Sequence, residues 1–220
     1  MKIIKKEDSN YPKSLLNIPN SPQMLYVEGN EELLNTQAIA IVGTRKPTEY
    51  GKKVAKEFAQ KLSENNICII SGLAEGIDTY AHLGAKSEKG KTIAVLGSGF
   101  NNIYPKQNLQ LYNEILEEGG CIISEYEPKE EAKSENFPMR NRIISGLAMG
   151  VLIVEARYRS GSAITARYAN MQRKEVFCVP RDIDKKTGYL PNEFIKNGAH
   201  LVMSYEDILE YFPKPKENAN

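Results

Sequence analysis

Six short apolar runs, separated by segments of helical periodicity, constrain this chain more than any other feature. Ala38-Ile39-Ala40-Ile41-Val42 ends in Gly43, 67–71 reads ICIIS, and 92–96 ends in Gly97. The others are 121–124, 151–154 and 176–179, the last stopped by Pro180. Continuous apolar runs of this length, without alternation, suit strands buried on both faces. Between them, residues 48–65 carry Val54, Ala55, Phe58, Ala59 and Leu62 at helical spacing. Further helices are predicted over 76–89, over 107–118 with Gly119-Gly120 as the stop, and over 162–173. Pro138 suits a first helical turn, which predicts a helix from about 139 to 149. Helices near 191–197 and 205–211 and a short strand at 200–203 complete the pattern. Strands alternating with helices predict an α/β fold, with a mostly parallel sheet covered by helices on both faces. Ligands of such sheets bind beyond the carboxyl ends of the strands, at a topological switch point.

At 220 residues the chain is long enough for one large α/β domain with a sizeable core. Residues 1–37 are punctuated by Pro12, Pro19 and Pro22. They read as a strap packed on the main domain, with one short strand at 23–27 and a turn at Gly29-Asn30. The main domain spans 38–212, and the polar tail 213–220 has the composition of disorder. No apolar run reaches 18 residues, and the N-terminus lacks the apolar region of a secretory signal, so neither a membrane span nor export is expected. The three cysteines (Cys68, Cys121, Cys178) fall inside apolar runs and read as small buried hydrophobes of a reducing cytoplasm. Histidine is scarce and no CxxC occurs, so no metal site is expected.

Charge is distributed unevenly. The chain is +1 overall, but residues 137–174 carry seven Lys/Arg against one acid, Glu155, leaving the remainder at about −5. A solvated face has such an excess too. Here the cations (Arg140, Arg142, Arg157, Arg159, Arg167, Arg173 and Lys174) are interleaved with Phe137 and the small turn Ser160-Gly161-Ser162. Cations, exposed amides and a flat ring suit a sugar-phosphate chain with stackable bases. Phe137 precedes Pro138, which favours extended backbone. A ring at the rim would spare Arg140 and Arg142 from burial beside it.

The strand ends reinforce that reading. The first predicted strand leads into Gly43-Thr44-Arg45, where a planar guanidinium follows a turn able to approach a ligand closely. The second leads into Ser71-Gly72 and a small-residue turn before a helix. Asp78, near the start of that helix, reads first as its cap. The third leads into Gly97-Ser98-Gly99, whose glycines a tight turn needs for steric reasons alone. The fifth leads to Glu155 and then Ser160-Gly161-Ser162. A dinucleotide fingerprint, a P-loop and GxSxG are all absent. His82 and His200 read as structural, and Met139, Met149 and Met171 as helical core.

These residues resemble the bacterial DNA-processing protein A family (DprA, also called Smf). The resemblance rests on IAIVGTR at 39–45, SGLAEGID at 71–78, FPMRNRIISGL at 137–147, VEA at 154–156 and SGSAITA at 160–166, with GAHLV at 198–202 a weaker match. It covers about residues 11–210. It implies an extended Rossmann-like fold, binding of single-stranded DNA, dimerisation, and loading of a RecA-type recombinase during natural transformation. No catalytic residue, cofactor or metal is implied. By position, Gly43, Thr44 and Arg45 match the family's phosphate-gripping turn, Ser71 and Gly72 its second turn, and Ser160, Gly161 and Ser162 its third. Phe137, Arg140, Asn141 and Arg142 match the signature element. The implied dimer runs through C-terminal elements, with Ile195 and Leu201 as candidates, although ordinary packing is the competing reading for neighbouring Phe194. Pro180-Arg181 departs from the family's usual Pro-Gly. The alternative is an enzyme, a Rossmann-like nucleotide phosphoribohydrolase similar to lysine-decarboxylase-like proteins and acting on nucleoside monophosphates. That class carries PGGxGTxxE, whereas this chain has EARYRSGSAITA at 155–166, with Glu155 the only acid nearby.

Overall fold

The computed structural model describes residues 1–158 and 160–213. Arg159 of the basic stretch, and the tail from 214 onward, lie outside the described residues. One nine-stranded sheet organises the chain. Its strands are β1 (Lys2–Lys5), β2 (Met24–Gly29), β3 (Ala38–Val42), β4 (Cys68–Ser71), β5 (Thr92–Leu96), β6 (Cys121–Ser124), β7 (Gly150–Ile153), β8 (Glu175–Cys178) and β9 (His200–Leu201). Their spatial order is β1-β2-β6-β5-β4-β3-β7-β8-β9. Every pairing from β6 through to β9 is parallel, and β1·β2 and β2·β6 are antiparallel.

Among the described residues seven α-helices cover this sheet: α1 (Glu49–Glu64), α2 (Ile77–Ala85), α3 (Leu109–Glu117), α4 (Asn136–Leu147), α5 (Gly161–Met171), α6 (Tyr189–Lys196) and α7 (Glu206–Leu209). The pleat sends alternate residues of β3 to opposite faces. Ala38, Ala40 and Val42 join Ile143 and Ile144 of α4 and Ala166 of α5 in one core, while Ile39 and Ile41 join Ala55 and Leu62 of α1 and Ile77 of α2 in another. A third cluster packs Leu111 and Ile115 of α3 against Ala94 and Ile122. Both faces are therefore covered, as the apolar runs require. Among the described residues no helix is long and apolar enough to cross a membrane, and all three cysteines are free and buried.

The N-terminal segment does more than strap the domain. It supplies two strands, and β2 pairs with β6, so the sheet continues into residues 2–29. The first of them, Lys-Ile-Ile-Lys, is too short and charged to read as a strand on its own. Leu15 and Ile18 then pack on α4 where Gly146 leaves room; a Cβ there would lie 2.7 Å from Leu15.

The chain runs outward from β3 through β4, β5 and β6, then returns to place β7 on the other side of β3. The switch point therefore lies between the carboxyl ends of β3 and β7.

Candidate nucleic-acid interface

A cavity of about 760 Å³ opens at that switch point. Gly43, Thr44 and Arg45 enter it from the end of β3, Ser160, Gly161 and Ser162 from the start of α5, and Phe137, Arg140 and Asn141 from α4. Gly72 lines a smaller hollow of about 40 Å³ next to it, shared with Arg45, Phe137 and Arg140.

Two sequence candidates are not brought in. Ser71 is fully buried and donates to the Ile41 carbonyl at 2.7 Å. Arg142 is 3 % exposed and donates to the carbonyls of Asn20 (2.8 Å) and Met139 (3.0 Å) and to the Glu125 carboxylate (2.5 Å). Positions two apart on a helix are rotated by roughly 200°, so α4 sends Arg140 and Arg142 to different sides.

The Gly43-Thr44-Arg45 turn is fixed from two directions. The Thr44 amide donates to the Glu155 carbonyl at 2.6 Å, and the Ile77 amide donates to the Thr44 carbonyl at 3.2 Å. Gly76 (φ +84°) allows the second contact: a Cβ there would come within 2.3 Å of the Thr44 carbonyl oxygen. The Thr44 amide is thus not an open donor, and the turn offers chiefly Arg45. That residue is exposed, and its guanidinium takes part in no hydrogen bond or ion pair among the described residues; it stands 5.9 Å from the Phe137 ring centre. Opposite it, the 11-residue α5 begins with no side-chain cap, leaving its positive end toward the cavity.

Arg140 is 5 % exposed. It donates to the carbonyls of Gly72 (2.8 Å) and Val95 and to Asn141 Oδ1 (3.2 Å), clamping the ends of β4 and β5. Asp78 is not a cap. It lies in the first turn of α2 and accepts from the Gly72 amide at 3.0 Å. Burial pushes its carboxyl up to about 6, against the opposing pull of Arg140 and the Gly72 amide.

Phe137 is half-buried in the cavity wall, and it lies within α4 rather than in extended backbone. The expectation that exposure of the ring would spare both arginines fails: the ring reaches the cavity although Arg140 and Arg142 are buried. Gly97 makes this seat, since a Cβ there would approach the ring to 2.8 Å. Its glycine has a packing reason beyond the turn itself.

The basic stretch divides. Arg157 is exposed on the cavity, while Arg167 and Lys174 line a second hollow beside β8 and α6. Met139 and Met171 are exposed rather than core, being at the outer ends of their helices, whereas Met149 packs against the second core. His82 Nδ1 lies 2.8 Å from Thr92 Oγ1, and burial pushes the imidazole down to about 3, so the ring is neutral at ordinary pH. Ile195 and Phe194 are partly buried against the first core, and Leu201 is 47 % exposed on the edge strand β9.

Neither motif nor spacing singles out Tyr104, or the role of Glu155. Fully buried, Glu155 accepts from the Thr48 amide (2.9 Å), the Thr48 hydroxyl (2.6 Å) and the guanidinium of Arg181. Arg181 also lies 4.4 Å from the Tyr50 ring centre, and its main chain exchanges hydrogen bonds with the Asn192 side chain. The Pro-Arg departure thus builds a defined loop.

Fold and site together define a Rossmann-like α/β protein with a cavity at its switch point, lined by Arg45, Phe137 and the start of α5. The chain belongs to the family described as DNA recombination-mediator protein A, whose profile matches residues 2–213. It is 43% identical to Protein Smf of Escherichia coli (strain K12) over 208 residues, which is 94% of this chain and 56% of that protein. The X-ray structure of DNA processing protein A from Streptococcus pneumoniae matches with a TM-score of 0.91 at 39% identity, over 96% of this chain and 74% of that chain. A Helicobacter pylori DNA processing protein A, whose structure addresses its single-stranded DNA binding mode, matches at 0.84 and 31% identity, over 94% of this chain and 97% of that one. The chain spans about half the length of the first curated relatives it matches.

Proposed function

We propose that this chain binds single-stranded DNA in the switch-point cavity and presents it to a RecA-type recombinase, as a cytoplasmic homodimer acting in natural transformation and DNA recombination. One observation carries the reading: an uncommitted arginine, an uncapped helix N-terminus and a half-buried aromatic ring converge on one cavity. The first two suit phosphate and the third an unpaired base. The family's description as a recombination mediator supports the recombinase step, and the single-strand binding of the Helicobacter pylori relative supports the ligand. No catalytic step is part of this function. Glu155, the acid that the phosphoribohydrolase alternative would use, has both carboxylate oxygens engaged by Thr48 and Arg181.

The decisive measurement titrates labelled single- and double-stranded oligonucleotides at several salt concentrations. Single strands bind more tightly; binding of neither form removes the reading. Arg45→Ala leaves the fold intact, weakens binding and flattens the slope of log affinity against log salt by about 0.7 per lost phosphate contact. An unchanged slope counts against a phosphate role for Arg45.

Phe137→Ala costs single-strand affinity about 1–3 kcal/mol with little change in the salt slope, while Phe137→Tyr or Trp keeps binding. A sharply lowered Tm with normal binding by the folded remainder would instead make the ring a core residue.

The proposed dimer uses the C-terminal edge, with Leu201 exposed on β9 and Ile195 partly buried on α6. Ile195→Asp yields a folded monomer in sedimentation. Global unfolding would assign Ile195 to the core alone.

A further inference from the structure

The wall of the cavity that carries Phe137 carries a second ring. Tyr104 lines both the main cavity and the small hollow. Its ring centre is 5.5 Å from that of Phe137, with the planes 47° apart, and the residue is 49 % exposed. The segment beneath it is anchored. Pro105 is buried, Ile103 packs on the third core cluster, and the Asn102 side-chain amide donates to the Lys129 (2.8 Å) and Glu130 (3.3 Å) carbonyls. Ser98 Oγ in turn donates to the Asn102 carbonyl at 2.8 Å. The Tyr104 hydroxyl makes no hydrogen bond among the described residues, so no polar contact explains the residue's position. A half-exposed ring on a firmly held segment is a preorganised contact surface.

We infer that Tyr104 is a second base-stacking surface, so that the cavity takes two successive unpaired bases, one on Phe137 and one on Tyr104. The geometry excludes a base sandwiched between the rings. That arrangement needs about 7 Å between parallel faces, twice the roughly 3.4 Å base spacing, and these rings are closer and tilted. Each ring therefore offers its own outward face, and the two bases lie splayed rather than stacked on each other. Arg45, close to Phe137, and the start of α5 then hold the intervening backbone. A cavity of about 760 Å³ is in the range that accommodates a ligand larger than one base. This inference rests on the single-strand reading above.

The test uses the full chain and oligothymidylate. Y104A loses affinity on the order of tenfold with an unchanged salt slope, whereas Y104F binds as the parent does. The chain contains no tryptophan, so the indole of Y104W is the sole tryptophan emitter. Its emission changes on adding DNA, and the change saturates together with the anisotropy of the labelled strand. Combined with F137A, Y104A gives a double variant that binds more weakly than either single variant, because each ring serves its own base; the losses need not multiply, since rings 5.5 Å apart are near enough to couple. Three results overturn the inference: Y104A binding like the parent, Y104W emission unmoved while DNA is bound, or a double variant no weaker than F137A alone. Failure of the unmutated chain to bind any single strand would instead overturn the parent reading. Y104W keeps the question answerable if Y104A does not fold.

Discussion

Arg140→Ala lowers the unfolding free energy by about 3–5 kcal/mol, since it takes a donor from two buried carbonyls, at roughly 1–3 kcal/mol each, and removes the cation near the buried Asp78. For a chain of this size that corresponds to a fall in Tm of roughly 10 °C. The substitution strips the Gly72 and Val95 carbonyls of their donor at the ends of two adjacent central strands, and leaves Asp78 facing a void. Arg140→Lys recovers part of the loss, since a compact ammonium keeps the charge but lacks the planar fork that reaches both carbonyls and Asn141. The effect depends on pH with a definite sign. Burial holds the Asp78 carboxyl at about 6 in the folded chain, above the roughly 3.9 of an unfolded aspartate. The folded state thus holds this proton more tightly. The stability contributed by Asp78 is fully present below about pH 4 and is lost as pH rises through about 6. Without Arg140 the carboxyl moves higher still. Thermal melts should therefore show a smaller penalty for Arg140→Ala at pH 5.5 than at pH 7.5. A penalty of only a few degrees at the higher pH, or one that grows on acidification, would remove Arg140 from its bracketing role. Whatever fraction stays folded should bind DNA with an unaltered salt slope, because this guanidinium faces carbonyls rather than phosphate.

Glu155→Ala is expected to be as damaging, again by about 3–5 kcal/mol. The carboxylate holds Thr48, the N-cap of α1, through both its amide and its hydroxyl. It also sits at the positive end of a 16-residue helix. Its own carbonyl meanwhile fixes Thr44, so one residue ties β7, the arginine turn and α1 together. Gly51 makes the approach feasible: a Cβ there would come within 2.4 Å of Glu155 Oε2. Arg181→Ala should cost clearly less than Glu155→Ala, because the carboxylate then still has two donors and the helix terminus. Urea midpoints decide this. Equal losses for the two variants would place the stability in the ion pair instead of the helix start, and a loss under about 1 kcal/mol for Glu155→Ala would refute the tie altogether.

The sheet was readable from the chain because each of the parallel strands β3 to β7 is a run of four or five residues buried on both faces. Val151-Leu152-Ile153 cannot be mistaken for a solvent-facing strand. The helices between were readable from spacing, as with Ala55, Phe58, Ala59 and Leu62. The edge strands were harder to read. β1 is four residues with a single buried side chain, and pairing with β2, not pattern, makes it a strand. Phe137 shows the same limit. Local sterics before Pro138 favour extended backbone, but packing over Gly97 holds the ring in the first turn of a helix.

Sequence by itself determined which residues could gather: strand ends in an α/β sheet must collect at one edge, so Gly43-Thr44-Arg45, Ser160-Gly161-Ser162 and the Phe137 segment were bound to lie close together. It left open how each donor would be used. Arg45, Arg140 and Arg142 are equivalent as letters, yet one is exposed with no hydrogen bond or ion pair among the described residues, one clamps strand ends near Asp78, and one is turned away to Glu125. That division depends on helix phase, on the carbonyls left at the ends of β4 and β5, and on residues as distant as Asn20. It is a property of three-dimensional neighbours, since a buried guanidinium must satisfy its hydrogen bonds wherever the fold presents acceptors.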